Sequence, residues 1–333
     1  MPQPANRTAA DGSDAAPLKQ KLRLGISSCL LGDLVRFDGG HKKDDFLVRV
    51  LGDYVEWIRV CPEVDIGLGT PRESIQLERR AGEIRLVGVR SGADHTEKMR
   101  EYARDKSAEI TGWDLRGYVL KKDSPSCGME RVRIYDANNV PSKDGVGMFA
   151  EALLERNPLL PVEEEGRLRD PRLRENFIAR IYAYDRWLNL KASGPKARDV
   201  IAFHTAHKLL LLAHSPEHYR VLGKLVAEAG LLPIDELLAR YETDLMAGLK
   251  RVASPGRHTN VLQHLAGFLK DELDAADKAE LHDIIGEYRA GHVPLITALT
   301  LLNHHLRRLG HAWVEAQAYL APYPRELALR SAV

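Results

Sequence analysis

A chain of 333 residues exceeds the usual length of one domain and fits about two. Apolar residues make up 44% and charged residues 29%, a composition that folds around buried cores. Lys plus Arg number 48 against 47 for Asp plus Glu, so the net charge of +1 excludes a strongly basic coat for nucleic acid and leaves room only for a local basic patch.

Residues 1–20 are rich in Ala, Pro, Asp and Gln, lack the apolar stretch of a secretory signal, and read as a disordered tail. Leu22–Ser27 and Val55–Val60 read as strands, with helical apolar spacing between them over 44–54. Residues 74–78 and 83–89 form a strand pair around Arg80-Ala81-Gly82. A charged helix follows over 94–111, then a strand over 115–120, a short strand at Val132–Tyr135 and a helix over 146–156. Strands alternating with helices predict an α/β domain with an open, mainly parallel sheet over 21–190, closed by an amphipathic helix from Pro171 to Leu190. Ala192-Ser193-Gly194-Pro195 then breaks the chain, and 196–333 read as an all-α domain with helices near 197–213, 216–229, 234–249, 259–273, 275–290 and 293–308. Eleven of the thirteen histidines lie beyond residue 200, which supports the boundary. No apolar run approaches the roughly 20 residues that span a bilayer, so no membrane is expected.

The three cysteines exclude a disulfide scaffold and point to a reducing, cytoplasmic setting. Cys29, Cys61 and Cys127 each follow a predicted strand. Strand C-termini of a parallel sheet share one edge, the edge where open α/β sheets bind ligands. Three readings stand: buried structural thiols, zinc completed by a fourth ligand such as His41, or an iron–sulfur cluster held by three thiolates. The last leaves one iron open as a soft Lewis acid suited to sulfur.

The contexts are Ser27-Ser28-Cys29-Leu30-Leu31-Gly32, Cys61-Pro62-Glu63 and Ser124-Pro125-Ser126-Cys127-Gly128, with Gly67-Leu68-Gly69-Thr70-Pro71-Arg72 and Asp170-Pro171-Arg172-Leu173-Arg174-Glu175-Asn176-Phe177 beyond them. Together they resemble the thiouracil desulfidase family over about 22–190. The stretches Phe203–Lys208, His258–His264 and Tyr323–Leu327 resemble the domain fused to that module in bacterial tRNA 4-thiouridine desulfidases. The resemblance implies a [4Fe-4S] cluster on Cys29, Cys61 and Cys127 with one open iron, and hydrolytic, non-redox removal of sulfur from a thiolated pyrimidine.

Exchanging C=S for C=O requires a group that activates water, and Glu63, two residues after a candidate ligand, suits a general base. Ser124 is its expected polar helper, Ser126 a second candidate, and Arg72 a candidate for phosphate, for the base, or for pairing with Glu73 or Glu78. A larger substrate explains an added domain: Lys208, Arg257, His258, Asn260 and Arg307 are the residues expected to touch tRNA. His207, His214 and His218 would share one face for a metal if Ser215-Pro216 did not break the helix. The leading expectation is a desulfidase for 4-thiouridine in tRNA. Its alternatives are a desulfidase for free thiouracil and a non-catalytic iron–sulfur regulator.

Overall fold

A computed structural model describes residues 21–310 and 312–331; the tail expected over 1–20 lies outside them. The described strands are β1 (Leu22–Ser27), β2 (Val55–Val60), β3 (Ile75–Arg80), β4 (Glu83–Gly88), β5 (Gly117–Leu120), β6 (Val132–Tyr135), β7 (Pro141–Gly145) and β8 (Val162–Glu164). The first half also holds helices α1 (Pro62–Asp65), α2 (Thr96–Thr111) and α3 (Met148–Arg156). Then come α4 (Pro171–Ala192), α5 (Ala197–His214), α6 (Pro216–Ala227), α7 (Ile234–Leu249), α8 (Pro255–Phe268), α9 (Ala275–Ala290), α10 (Leu295–Leu309) and α11 (Ala312–Glu315). The N-terminal half is α/β and the C-terminal half helical, as the residue periodicities predict.

The expected sheet is two sheets. One runs β2-β1-β5-β8 with every pairing parallel. The other runs β4-β3-β6-β7, with β3 parallel to β6 and the outer pairs antiparallel. Burial explains the division. All four residues of β5 are buried, as a central parallel strand requires, whereas β6 alternates buried and exposed positions and suits a sheet with one wet face. The helix expected over 44–54 is instead a π-type turn (Phe46–Val50) followed by a 3-10 turn (Leu51–Asp53), with Gly52 weakening any continuous helix. The start of α8 is earlier than expected because Ser254 Oγ accepts the Arg257 N–H and Pro255 opens the first turn.

Side chains of the parallel sheet divide between two cores. Tyr118 and Leu120 join Met99, Ala103 and Phe149 of α2 and α3, while Val119, Leu24 and Ile26 join Phe177, Ile178 and Ile181 of α4. Contact with α4 is close because Gly117 has no side chain: a Cβ there would lie 2.8 Å from Ile181 Cγ2. The helix starts cleanly, since Asp170 accepts the N–H groups of Arg172 and Leu173 and Pro171 occupies the first turn.

Helix α4 serves both halves. Its later residues Ala183 and Trp187 belong to the core of the helical half, and Tyr323 and Leu327 from the chain's far end return to the core beneath the parallel sheet. A buried polar seam joins them. Glu175 Oε1 accepts from Arg330 Nε at 3.0 Å and from Tyr323 Oη at 3.1 Å. Arg330 Nη1 donates to the Tyr319 carbonyl at 2.6 Å, and Asn176 Nδ2 to the Leu249 carbonyl at 2.9 Å. Burial alone would raise the Glu175 carboxyl; the facing charge of Arg330 carries it below its ordinary value. Nearby, His204 meets Tyr241 Oη at 3.1 Å, His207 donates Nδ1–H to the Phe203 carbonyl at 2.8 Å, and His258 meets Tyr319 Oη at 2.9 Å. Burial lowers these imidazoles to about 4, about 4 and about 3.

Two outcomes follow for the full chain. Arg330→Ala strands a buried carboxylate at Glu175 and should cost about 3–5 kcal/mol of stability, read from urea unfolding. As pH falls from about 6.5 toward 4, the unfolded chain takes protons that His204, His207 and His258 refuse in the fold. Stability therefore falls across that window, and Glu175 extends the loss below the ordinary carboxylate range. A urea midpoint constant from pH 7 to pH 4.5 would contradict the neutral, buried state of these rings.

Candidate active site

The topology sets three adjacent strand ends side by side. Cys29 lies in the 3-10 turn Ser28–Leu31 directly after β1, Cys61 is the N-cap residue of α1 directly after β2, and Cys127 lies in the loop after β5. The chain reverses its lateral direction between β1 and β5, the position where ligands settle in open parallel sheets. Cys61 bears on the Cys29 thiol, and both bear on Cys127. Burial raises all three thiols, Cys29 to about 12, against the opposing charge of Lys121 and Arg36 at Cys29. Among the described residues, no three Cys, His, Asp or Glu side chains close on one point as ligands of a single ion would. His41 is exposed, and its Nδ1 accepts the Lys43 N–H at 3.1 Å.

The loop carrying Cys127 is long, and β8 fastens it. Glu164 Oε1 accepts the Met129 N–H at 2.6 Å, and burial raises the Glu164 carboxyl. Glu165 accepts the Lys122 N–H at 2.8 Å and pairs with Lys121 Nζ at 2.6 Å. Ser124 Oγ accepts the N–H groups of Ser126 and Cys127 at 3.2 and 3.1 Å, closing the turn. Gly147 lets α3 begin against this turn, since a Cβ would lie 2.5 Å from the Ser126 carbonyl carbon. Neither composition nor spacing assigns a role to the run Glu163-Glu164-Glu165. Three consecutive acids directly after the apolar residues Leu159, Leu160 and Val162 were the signal available.

Glu63 stands in the first turn of α1, and its carboxylate is gripped from both sides. Arg72 reaches Oε2 through Nε at 3.2 Å and through Nη2. Ser126 Oγ donates to Oε1 at 3.1 Å, while Ser124 Oγ stands at 3.5 Å. Ser126 is thus the closer hydroxyl, and Ser124 chiefly holds backbone. Arg72 spends its remaining donors on the Val35 and Gly69 carbonyls at 3.0 and 2.7 Å, and its side chain is 5% exposed. The expected pairing with Glu73 or Glu78 gives way to this clamp. Glu73 turns instead to Ser91 and the Arg90 N–H. Beside the clamp opens a cavity of about 650 Å³ lined by Gly67, Leu68, Arg72, Ile75, Arg90 and His95 among others.

The residues expected to touch tRNA are dispersed through the helical half. His258 is buried and neutral against Tyr319 and cannot offer charge to a phosphate, so that expectation is corrected. Arg257 Nη1 donates to the His214 carbonyl at 2.8 Å, and Lys208 Nζ lies 4.7 Å from the Trp313 ring centroid. Asn260 and Arg307 are exposed, the latter with Nε on the Asn303 carbonyl at 3.2 Å. Ser215 caps α6 and separates His214 from His218, so the three-histidine face does not form.

The 2-thiouracil desulfurase family matches residues 24–165, and a family of unknown function, DUF1722, matches residues 208–324. The uncharacterized protein YbgA of Escherichia coli is 31% identical over 160 residues, 48% of this chain and 95% of its own length. The uncharacterized protein YbbK of Bacillus subtilis is 35% identical over 108 residues, 31% of this chain and 71% of its own length. Among solved structures, the [4Fe-4S]-dependent thiouracil desulfidase TudS shares 34% identity, covering 45% of this chain and 95% of TudS, with a TM-score of 0.37. No described helix is long and apolar enough to cross a membrane. The chain therefore belongs, through residues 24–165, to the 2-thiouracil desulfurase family, and it joins that module to a DUF1722 domain.

Proposed function

We propose that the protein is a desulfidase that converts 4-thiouridine in tRNA to uridine and releases hydrosulfide, using an iron–sulfur cluster held by Cys29, Cys61 and Cys127. The observation that carries this reading is the meeting of three cysteine-bearing strand ends with the clamped carboxylate of Glu63. The donor set fits the group: three sulfurs on adjacent strand ends, two of them buried, with the cations Lys121 and Arg36 beside Cys29 to balance thiolate charge. Bound there as [4Fe-4S], the cluster would supply a soft Lewis-acidic iron for the substrate's sulfur.

The chain's own residues do the rest. Arg72 and Ser126 fix Glu63 in one orientation. Glu63 takes a proton from the water that attacks C4, and Ser126 or Ser124 relays it toward the departing sulfur. Arg72 steadies the carboxylate without touching substrate. On this reading the DUF1722 half supplies the further contacts that a folded RNA needs. The family description favours a second reading, the same chemistry on free 2-thiouracil or 4-thiouracil, with the helical half in another role.

Anaerobic purification with iron and sulfide analysis, followed by assay on thiolated tRNA and on free thiouracil, tests the proposal. Cys→Ser at any one of the three positions should lower bound iron and abolish turnover. Glu63→Gln should retain the cluster's absorbance and lose about two to four orders of magnitude in kcat. Normal turnover in Glu63→Gln would remove it as the base, and full activity of all three Cys→Ser proteins would sink the cluster assignment.

A further inference from the structure

The loop over 32–43 leaves the Cys29 turn and returns to it. Lys42 N–H donates to the Cys29 carbonyl at 2.8 Å, and Asp44 N–H to the Leu30 carbonyl at 2.9 Å. Its middle is tied to the clamp on Glu63: Arg72 donates its N–H to the Phe37 carbonyl at 2.9 Å and Nη1 to the Val35 carbonyl at 3.0 Å. The tip is a tight turn in which Gly39 N–H donates to the Arg36 carbonyl at 2.9 Å and Arg36 N–H to the Gly40 carbonyl at 3.2 Å. Gly39 takes a φ of 74°, which favours glycine. This backbone is fixed, so its side chains are presented in fixed places.

Those side chains are unusual for an ordered loop beside a buried site. Leu34 is 63% exposed and Phe37 40% exposed. The Arg36 guanidinium carbon lies 5.2 Å from the Phe37 ring centroid, and Arg36 Nε lies 3.4 Å from Asp38 Oδ1. Lys42 and Lys43 are exposed and form no ion pair among the described residues, whereas Asp33 and Asp38 are matched by Arg59 and Arg36. An exposed aromatic face next to unmatched cations is the pattern that binds single-stranded nucleic acid, where bases stack and phosphates meet lysine. A second protein surface would need a continuous apolar patch, and two side chains on one loop do not make one.

We infer that this loop is a subsite for the polynucleotide flanking the thiolated base: Phe37 stacks on the neighbouring base, and Lys42 and Lys43 meet its phosphates. The inference rests on the polynucleotide reading above. A thiolated base drawn out of its stack exposes the face of its neighbour at a cost of a few kcal/mol. An aromatic ring two hydrogen-bonded links from Glu63 covers that face where the base departs. Leu34, beside it, adds apolar cover.

The test uses the full, cluster-loaded chain on two probes: free 4-thiouracil and a short single-stranded oligoribonucleotide with one internal 4-thiouridine. Phe37→Ala should lower kcat/KM on the oligonucleotide about five- to hundredfold and change free 4-thiouracil by less than about twofold. Phe37→Trp should restore the oligonucleotide activity, which a merely structural role would not predict. Lys42→Ala with Lys43→Ala should make binding less steeply salt-dependent. If Phe37→Ala matches the wild type on an oligonucleotide that the wild type desulfurises, the subsite is overturned while the substrate reading stands. Equal losses on both probes overturn it too, since the ring would then serve the target base or the clamp. A wild type that clears 4-thiouracil but neither binds nor desulfurises the oligonucleotide overturns the substrate reading and the subsite together.

Discussion

Parallel pairing on both sides of β1 is the constraint from which the site follows. Ser27 lies level with Val60 across one ladder, and Ile26 level with Val119 across the other. The three strands therefore stop together, and whatever follows each of them meets the other two. Cys29 and Cys61 come almost at once, so their positions are set by the ladders themselves. Cys127 follows Leu120 after six intervening residues and would wander without further anchors. Glu164, Glu165, Ser124 and the bare backbone of Gly147 supply them, each acting on the main chain of that one loop. Acidic residues buried at the end of β8 thus have a positional reason.

Around that edge the polar groups are arranged as a chain of grips. Arg72 holds Glu63, and the loop over 32–43 holds Arg72, and that loop is in turn tied to the Cys29 turn. Tyr102 on α2 donates to Asp65, fixing the same short helix from its other side. Displacement of any one member moves the carboxylate relative to the thiols. The cost of ordering these side chains is met by burial in the fold, so the Glu63 carboxylate is held in one orientation.

Much of this was legible in the residues. Alternation and length gave β1, β2, β6, α7 and α9 at their observed bounds, because each has a clear period and a turn or cap at its ends. Strand ends gave the three cysteines a common edge. What the residues did not disclose is what depends on contacts distant in sequence: the second sheet, in which β6 pairs with β3, and β7, whose Pro-Ser-Lys-Asp-Gly has no apolar period. Arg72 and Glu63 lie nine residues apart with no helical spacing to join them, so their pairing belongs to tertiary structure. The histidine-rich motifs of the helical half read as surface chemistry, yet His204, His207 and His258 pack inward against Tyr241, Phe203 and Tyr319. Charge type alone does not tell a neutral buried imidazole from an exposed one.

Helix α4 has a consequence of its own. One face covers the parallel sheet through Phe177, Ile178 and Ile181, and its later turns carry Ala183 and Trp187 into the other core. Neither core is complete without it, and Tyr323 and Leu327 close the circuit from the opposite end of the chain. The two halves are thus bound into one cooperative unit, and local opening in one weakens the other. A homologue that lives with only the first half must end this helix sooner, replace Trp187 and its apolar neighbours with polar residues, or cover them with a second chain. Inheritance of the fused form accordingly ties the composition of a single helix to the fate of two families.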